Sequence, residues 1–193
     1  MVALPALDRP LTYDDLAAMP DDGKRYELIN GELIELTGPT PKHQRSTLRL
    51  STNLNQFVTT RELGEVFFAP LDVYLSPHNT VQPDIIYVSR ARASIIRAQK
   101  IEGIPDLLME VVSPSNRRHD IVVKAALYAT FGVPEYWLVD PEQDSIRVQT
   151  WRDGVYVPVT STDGIARSLV LPGFGVDPVE LFAEPAWMQL AER

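Results

Sequence analysis

A run of almost wholly apolar residues from Asp106 to Val112 constrains this chain more than any other stretch. Its sequence, DLLMEVV, is typical of a strand that is covered on both faces of a sheet. Glu110 lies inside that run, although burying an ionised carboxylate costs several kcal/mol. Such a side chain persists only beside a cationic partner, a metal ion or an open cleft. The run therefore predicts a core strand that carries one acid with a specific partner.

A second carboxylate has a similar setting. Asp84 precedes the apolar run IIYV and follows Pro83, which cannot donate a hydrogen bond to a sheet ladder. Two acids on neighbouring strands could converge on one point. Proteins bind Mg²⁺ through one or two carboxylates, while waters and substrate phosphate oxygens complete its coordination. The pair of Asp84 and Glu110 therefore indicates a site for a hard divalent cation.

The segment after the second strand predicts a short helix that ends near Gly132. Asp120, Lys124 and Tyr128 are spaced i, i+4 and i+8, so they share one face of that helix. If this face is turned toward the two strands, Lys124 brings a positive charge to the carboxylates. It could then orient a water molecule or stabilise charge that develops on a phosphate. The alternative is a buried ion-pair network without chemistry.

These residues resemble the signature of the PD-(D/E)xK nucleases. The segments EVVSPSN and GVPEYWLVDP, with the lysine helix between them, resemble more specifically the Uma2-type restriction endonucleases, a bacterial branch of that superfamily. RYELINGELIEL, residues 39–43 and LDVYLSPHNTVQPDIIYVS also fit, so the resemblance covers roughly residues 12–182. Val112 stands where the signature has its lysine. The resemblance implies that the lysine has moved to the helix, where Lys124 matches it.

The resemblance also implies a fold and an activity. The expected fold is α/β (α+β), with a restriction-endonuclease-like mixed central sheet flanked by helices and additional β-hairpins on the N- and C-terminal sides. The expected activity is metal-dependent endonucleolytic hydrolysis of phosphodiester bonds in DNA. Asp84, Glu110 and the carbonyl of Val111 would bind Mg²⁺ or Mn²⁺, and Lys124 would be the catalytic cation.

Four further side chains are candidates for a supporting role, namely Glu32, His43, Asp120 and Tyr128. Glu32 alternates with apolar neighbours, so it is either a solvent-facing strand residue or a support of the metal site. His43 falls in the first turn of a predicted helix, where the helix dipole disfavours a cation. A neutral imidazole that faces a ligand is one interpretation, and an ordinary surface histidine is the other.

Local patterns predict the framework around these residues. It comprises a hairpin over residues 25–36, a long helix from Thr40 or Pro41 to about Arg61, one strand with a bend over residues 66–75, a short helix over residues 94–98 and a second hairpin over residues 146–159. The hairpins are predicted from Asn-Gly and Asp-Gly pairs, which favour tight turns between alternating strands. The bend is predicted from a proline, which cannot donate to a ladder.

The length of 193 residues predicts one domain, 1–193, with a nuclease-like core at about residues 40–140. The chain contains no cysteine, which excludes disulfides, thiolate metal ligands and a cysteine nucleophile. No apolar run approaches the roughly 20 residues that a membrane span requires, and no signal peptide is evident. We therefore expect a cytoplasmic protein that does not associate with membranes.

The net charge of −8 opposes a nucleic-acid partner, because phosphates bind lysine and arginine. Basic residues nevertheless cluster near His43, between the two acid-bearing strands and before the lysine helix. Each cluster is either part of a nucleic-acid surface or an ordinary solvated face. Two alternatives stay open: a catalytically silent binding or assembly module, and a nuclease that acts on RNA or structured nucleic acid. A homodimer would suit a double-strand cut.

Overall fold

The computed structural model describes residues 9–113, 117 and 119–189, without the side chains of residues 119, 120 and 189. The α-helices are α1 (Tyr13–Ala17), α2 (Pro41–Thr60), α3 (Ala125–Phe131), α4 (Pro178–Phe182) and α5 (Ala186–Gln189), with a 3₁₀ helix at Arg90–Ile95 and a π-helical segment at His119–Lys124. Among these described residues, no helix is both long and apolar enough to cross a membrane.

The strands form two sheets and one small pair in the described part of the chain. They are β1 (Arg25–Ile29), β2 (Glu32–Leu36), β3 (Gly64–Phe68), β4 (Asp72–Ser76), β5 (Asn79–Val81), β6 (Ile85–Ser89), β7 (Lys100–Glu102), β8 (Leu107–Val111), β9 (Glu135–Asp140), β10 (Ser145–Arg152), β11 (Val155–Pro158), β12 (Ala166–Arg167) and β13 (Gly175–Val176). The larger sheet has the order β11-β10-β9-β8-β6-β3, the smaller has the order β2-β1-β5-β4-β7, and β12 pairs with β13.

The larger sheet is the mixed sheet that the sequence predicts. Its inner strands β8 and β9 run parallel, while β6 is antiparallel to β8 and β10 is antiparallel to β9. Every residue of β8 and β9 is buried. Leu50, Leu54 and Val58 of α2 pack on one face of this sheet, and the smaller sheet and α3 contribute to the core on the other face. The acid-bearing strand β8 therefore lies between two hydrophobic layers.

Both predicted hairpins are confirmed. Asn30 and Gly31 have φ angles of 53° and 79°, the left-handed values that a type I′ turn requires, and Asp153 and Gly154 have φ angles of 48° and 90°. The first hairpin is β1–β2, and the second is β10–β11. Because β1 also pairs with β5, it is an inner strand of the smaller sheet. The hairpin thereby carries Glu27 into the interior, where it is fully buried.

Gly31→Ala is expected to lower the free energy of unfolding by more than the cost of placing an alanine in the left-handed conformation. A Cβ at this position would overlap Pro10, and overpacking of this kind costs about 1–3 kcal/mol in addition to about 1–2 kcal/mol for the left-handed residue. Gly23 is the matched control, since its φ is 76° and no atom lies within 4 Å of an added Cβ. Urea unfolding of both alanine variants measures the difference, and equal losses would contradict the overlap.

Residues 66–75 form two strands in different sheets, so the prediction of one bent strand is wrong. β3 pairs with β6 in the larger sheet, whereas β4 pairs with β5 and β7 in the smaller one. Pro70 lies between them, and because its ring nitrogen carries no hydrogen it cannot continue a ladder. The chain therefore leaves one sheet and enters the other.

The segment between β6 and β7 contains a short helix, as predicted, but it is a 3₁₀ helix over Arg90–Ile95, so the predicted bounds of 94–98 are wrong. After Ile95 the chain makes a tight turn, across which Ile96 forms an isolated β-bridge with Ile101 of β7. In that turn the Arg97 N–H donates to the Lys100 carbonyl at 2.9 Å. The segment therefore joins the smaller sheet, where β7 runs parallel to β4.

Candidate active site

The two carboxylates selected from the sequence lie at the same end of neighbouring strands. Ile85 of β6 is opposite Met109 of the antiparallel strand β8. Asp84, one residue before β6, is therefore level with Glu110. The Val111 N–H donates a hydrogen bond to Asp84 Oδ2 at 2.7 Å. The sheet register thus brings Asp84, Glu110 and Val111 together.

The first turn of α2 reaches the same point. Thr40 caps this helix by accepting a hydrogen bond from the His43 N–H at 3.2 Å, and Pro41 occupies its first turn. His43 Nε2 lies 3.2 Å from Asp84 Oδ2, and 11% of the imidazole side chain is exposed. The Thr47 hydroxyl donates to the His43 carbonyl at 2.9 Å. His43 is therefore positioned by its helix to hold the orientation of Asp84.

Lys124 is buried between two carboxylates. Its Nζ lies 2.8 Å from Glu27 Oε1 and 3.1 Å from Glu110 Oε1. Only 3% of the lysine side chain is exposed, and both glutamates are buried as well. Charges removed from water in this way are stable only as a set, because each one replaces the hydration that the others have lost.

Tyr128 holds the Glu110 carboxylate from the other side. Its hydroxyl donates to Glu110 Oε1 at 2.6 Å. Burial, together with the nearby Glu110 charge, keeps the pKa of this phenol well above its usual value. The hydroxyl therefore stays protonated and remains a donor. Its ring packs edge to face on Tyr136, with the ring centroids 5.3 Å apart.

The helix that carries these groups differs in detail from the prediction. His119–Lys124 is π-helical and α3 begins only at Ala125, so the i, i+4 spacing of an α-helix does not apply before Lys124. Lys124 and Tyr128 nevertheless both contact Glu110. The side chain of Asp120, predicted for the same face, lies outside the described residues. Gly132 ends α3 in a left-handed conformation with φ 72°, as expected from the sequence.

Glu27 is a member of the site that the sequence analysis does not select. Besides contacting Lys124, its Oε1 accepts a hydrogen bond from the Gln82 N–H at 2.7 Å. Gln82 lies two residues before Asp84, so this bond ties the hairpin of the smaller sheet to the segment that carries the acid. Glu27 therefore connects the lysine to both sheets.

The hairpin pattern contains a signal for Glu27. It is opposite Ile34 in the β1–β2 register, and it shares a strand face with Ile29. A carboxylate that sits among apolar side chains on one face is as unusual as Glu110 on β8. Glu32 instead lies at the turn end of the hairpin, where it is exposed, and it does not line the cleft.

A cleft of about 840 Å³ opens beside these residues. Asp84, Glu110, Val111 and Lys124 line its inner end, and one side of α2 and the end of β3 form its walls. A volume of this size is typical of small-ligand sites. The cleft therefore gives a substrate access to both carboxylates and the lysine.

The donor set suits an ion that keeps much of its hydration. Within the described residues, no three side chains from His, Cys, Asp and Glu are grouped so that they could hold a metal ion. Mg²⁺ seldom needs such a cage, since one or two carboxylates, waters and substrate phosphates complete its octahedron. Asp84 and Glu110 supply two carboxylates in one cleft, and both hydrogen-bond contacts of Asp84 use Oδ2. These residues fit Mg²⁺ or Mn²⁺.

The basic clusters noted in the sequence are largely paired with acids. The pairs are Lys42–Glu142 at 3.9 Å, Arg45–Glu184 at 3.7 Å, Arg92–Asp106 at 3.4 Å, Arg97–Glu102 at 3.8 Å and Arg117–Asp140 at 2.7 Å. To bind a phosphate, each of these cations would have to divide its contacts between the phosphate and the carboxylate that it already pairs with. This arrangement favours the interpretation of these clusters as ordinary solvated faces.

Three comparisons relate this chain to known proteins. The Uma2 family model, described as a putative restriction endonuclease, matches residues 13–180. An uncharacterized protein of Synechocystis sp. is 27% identical over 119 residues, which cover 61% of this chain and 67% of that protein. The crystal structure of a putative nuclease of the DUF820 group from Anabaena variabilis has a TM-score of 0.74 at 20% identity, covering 90% of this chain and 98% of that one. That likeness concerns the fold.

Proposed function

Because this chain belongs to the Uma2 family, we propose that it is a metal-dependent endonuclease that hydrolyses phosphodiester bonds in DNA. One observation carries the proposal. Asp84 and Glu110, from neighbouring strands, meet in a single cleft with a buried lysine beside them. Phosphoryl transfer needs positioned charges more than covalent chemistry from the protein, and this arrangement supplies them.

The proposed metal ligands are the Asp84 and Glu110 carboxylates with the Val111 carbonyl, and the ion is Mg²⁺ or Mn²⁺. When bound, such an ion polarises the scissile phosphate and lowers the pKa of a bound water. His43 and the Val111 N–H fix the orientation of Asp84 through its Oδ2. The ligand geometry therefore depends on the pairing of β6 with β8 and on the first turn of α2.

Lys124 is the proposed catalytic cation. Its ammonium contacts Glu110 and lines the cleft, so it can orient the attacking water or balance the charge that develops on the phosphate. Tyr128 holds Glu110, and Glu27 holds Lys124. Neither of these two is among the residues that line the cleft, so we assign them positioning roles.

A catalytically silent binding or assembly module is the second candidate. The net charge of −8 and the acid-paired arginines favour it, because a nucleic-acid surface gains its affinity from cations that are available to phosphates. Divalent-dependent turnover separates the two candidates, since a silent module would bind without hydrolysis.

Asp84→Asn is expected to lose metal binding and cleavage together. Calorimetric titration of Mg²⁺ and Mn²⁺ into both proteins, followed by cleavage assays on plasmid and single-stranded DNA, tests this. Wild type should bind the ion and nick DNA only with the metal present. Asparagine keeps the shape of the side chain but removes a charged ligand, so we expect a loss beyond the roughly 10- to 100-fold that outer-shell changes cause.

The parallel preparation of Asp84→Asn also controls for contaminating nucleases. Equal nicking by both preparations would contradict the assignment of Asp84 as a metal ligand. Failure of wild type to bind either ion, even with DNA present, would support the silent module. Cleavage of RNA but not of DNA would keep the site and change the substrate. Sedimentation with DNA would test whether two copies pair to cut both strands.

A further inference from the structure

Two apolar side chains are exposed in the walls of the cleft. Phe68, the last residue of β3, is 65% exposed, and Leu48 of α2 is 67% exposed. Both line the same cleft as Asp84 and Glu110. Two exposed apolar side chains in the cleft of the proposed reaction centre provide a surface that a substrate can cover.

The backbone that carries Phe68 lies beside the segment that carries Asp84. Phe68 is opposite Ile85 in the β3–β6 register, one position from Asp84, and the neighbouring Ala69 N–H donates to the Asp84 carbonyl at 3.1 Å. Neighbouring strands lie about 4.8 Å apart, so the backbone of Phe68 is about one strand spacing from that of the acid. Leu48 follows His43 on α2. A group that rested on Phe68 and Leu48 would therefore occupy the same cleft as a phosphate at the proposed metal site.

The wall formed by α2 is free of negative charge. This helix of 20 residues contains no aspartate or glutamate, although the whole chain contains 26. The residues that it contributes to the cleft include Gln44 and Asn55. Among the residues that the structure describes, the side-chain amides of Gln44 and Asn55 have no hydrogen-bond partner, so both are available to a polar ligand edge.

We propose that this wall binds an unstacked nucleobase next to the scissile phosphate, so that the substrate is single-stranded or locally unpaired nucleic acid. This inference rests on the proposed nuclease function and narrows its substrate. A base can stack on Phe68 and Leu48 only after it has left the helix, because paired bases are covered by their neighbours. Gln44 is one helical turn from Leu48 on the same face of α2, so its amide can offer a donor and an acceptor to the edge of that base.

As far as the structure describes the chain, the cleft has few cations that are available to the phosphates of a duplex. Three lysine and arginine residues line it, namely Lys24, Arg25 and Lys124. Lys24 pairs with Glu35 at 2.6 Å, and Lys124 is held by two buried acids. Within the described part of the chain, Arg25 alone of these three forms no ion pair. Affinity for a duplex depends on many phosphate contacts, whereas a single strand adds about 1–3 kcal/mol for each stacked base to the phosphate contacts that it makes.

Fluorescence anisotropy with a labelled oligothymidylate and a matched duplex, with Ca²⁺ in place of Mg²⁺, tests the inference by binding alone. Wild type should bind the single strand at least tenfold more tightly than the duplex. Phe68→Ala should weaken single-strand binding by about 5- to 150-fold, the range for loss of one stacked base. Phe68→Trp should retain the affinity, because the indole also stacks.

Trp187→Ala is the matched control, since Trp187 is an aromatic residue of α5 that is 70% exposed and does not line the cleft. Its affinity should equal that of wild type. A series of oligothymidylates, each with one abasic site at a different position, tests the stacking contact directly. One of these sites should weaken binding to wild type, and the same site should have no effect on binding to Phe68→Ala. Unchanged circular dichroism would establish that the variants fold.

Duplex binding as tight as single-strand binding, no binding of either probe, or full affinity in Phe68→Ala would each overturn the inference. Different outcomes test the proposed nuclease function and the proposed base site. Binding through Phe68 without any Mg²⁺- or Mn²⁺-dependent hydrolysis would support the base site and reject the nuclease. Metal-dependent cleavage of intact duplex, with Phe68→Ala equal to wild type, would reject the base site and support the nuclease.

Discussion

Glu110→Ala is expected to abolish divalent-dependent cleavage while it reduces stability only modestly. The change removes one of two proposed carboxylate ligands, so the loss of activity should exceed the roughly 10- to 100-fold that outer-shell changes cause. Lys124 keeps its contact with Glu27 at 2.8 Å, and the buried ammonium therefore retains a counter-charge. Tyr128 loses the acceptor of its hydroxyl, which should cost about 1–3 kcal/mol.

Single-turnover cleavage and urea unfolding of the same preparations measure the two effects. Glu32→Ala is the control for the removal of a glutamate, because Glu32 is exposed on β2 and does not line the cleft. It should cleave at the wild-type rate. A Glu110→Ala protein that retained more than a tenth of wild-type activity would exclude Glu110 as a metal ligand. A stability loss of about 3–5 kcal/mol or more would instead indicate a structural ion-pair role.

The sequence could predict the two acids because Glu110 interrupts a strong apolar pattern and Asp84 directly precedes one. The strand around Glu110 is buried over its whole length, so the carboxylate stands out, and Pro83 marks the start of the strand that follows Asp84. The turn chemistry of Asn30-Gly31 likewise fixes a hairpin locally. These features depend on neighbours in sequence, and they were predictable for that reason. The single-domain organisation stays a prediction.

The rest of the site depends on contacts between distant segments. Glu27 meets Lys124 only because β1 pairs with β5 in a second sheet, and the sequence pattern predicted one sheet. The break at Pro70 looks locally like a bend, yet the chain changes sheets there. The π-helical geometry before Lys124 is also set by packing, because residue preferences do not distinguish it from an α-helix. Register and pairing of this kind are tertiary properties.

Lys124→Met is expected to lower the free energy of unfolding by about 3–5 kcal/mol and to abolish cleavage. Methionine fills a similar volume but leaves Glu27 and Glu110 buried without the ammonium that lies within 3.1 Å of both. Removing one partner of a buried ion pair has a cost of about that size, because the remaining charge stays dehydrated and uncompensated. Urea unfolding with constant m values would measure it.

The double variant Glu27→Gln/Lys124→Met separates chemistry from folding. Glutamine removes one of the two uncompensated charges and can still accept the hydrogen bond from the Gln82 N–H. It should therefore restore about 0.5–3 kcal/mol relative to Lys124→Met, the size expected for residues in direct contact. Cleavage should stay absent, because the restored fold still lacks the ammonium beside Glu110. Recovery of cleavage together with stability in the double variant would show that Lys124 serves the fold alone. A loss of stability below about 1 kcal/mol in Lys124→Met would contradict the buried ion pairs of Lys124 with Glu27 and Glu110.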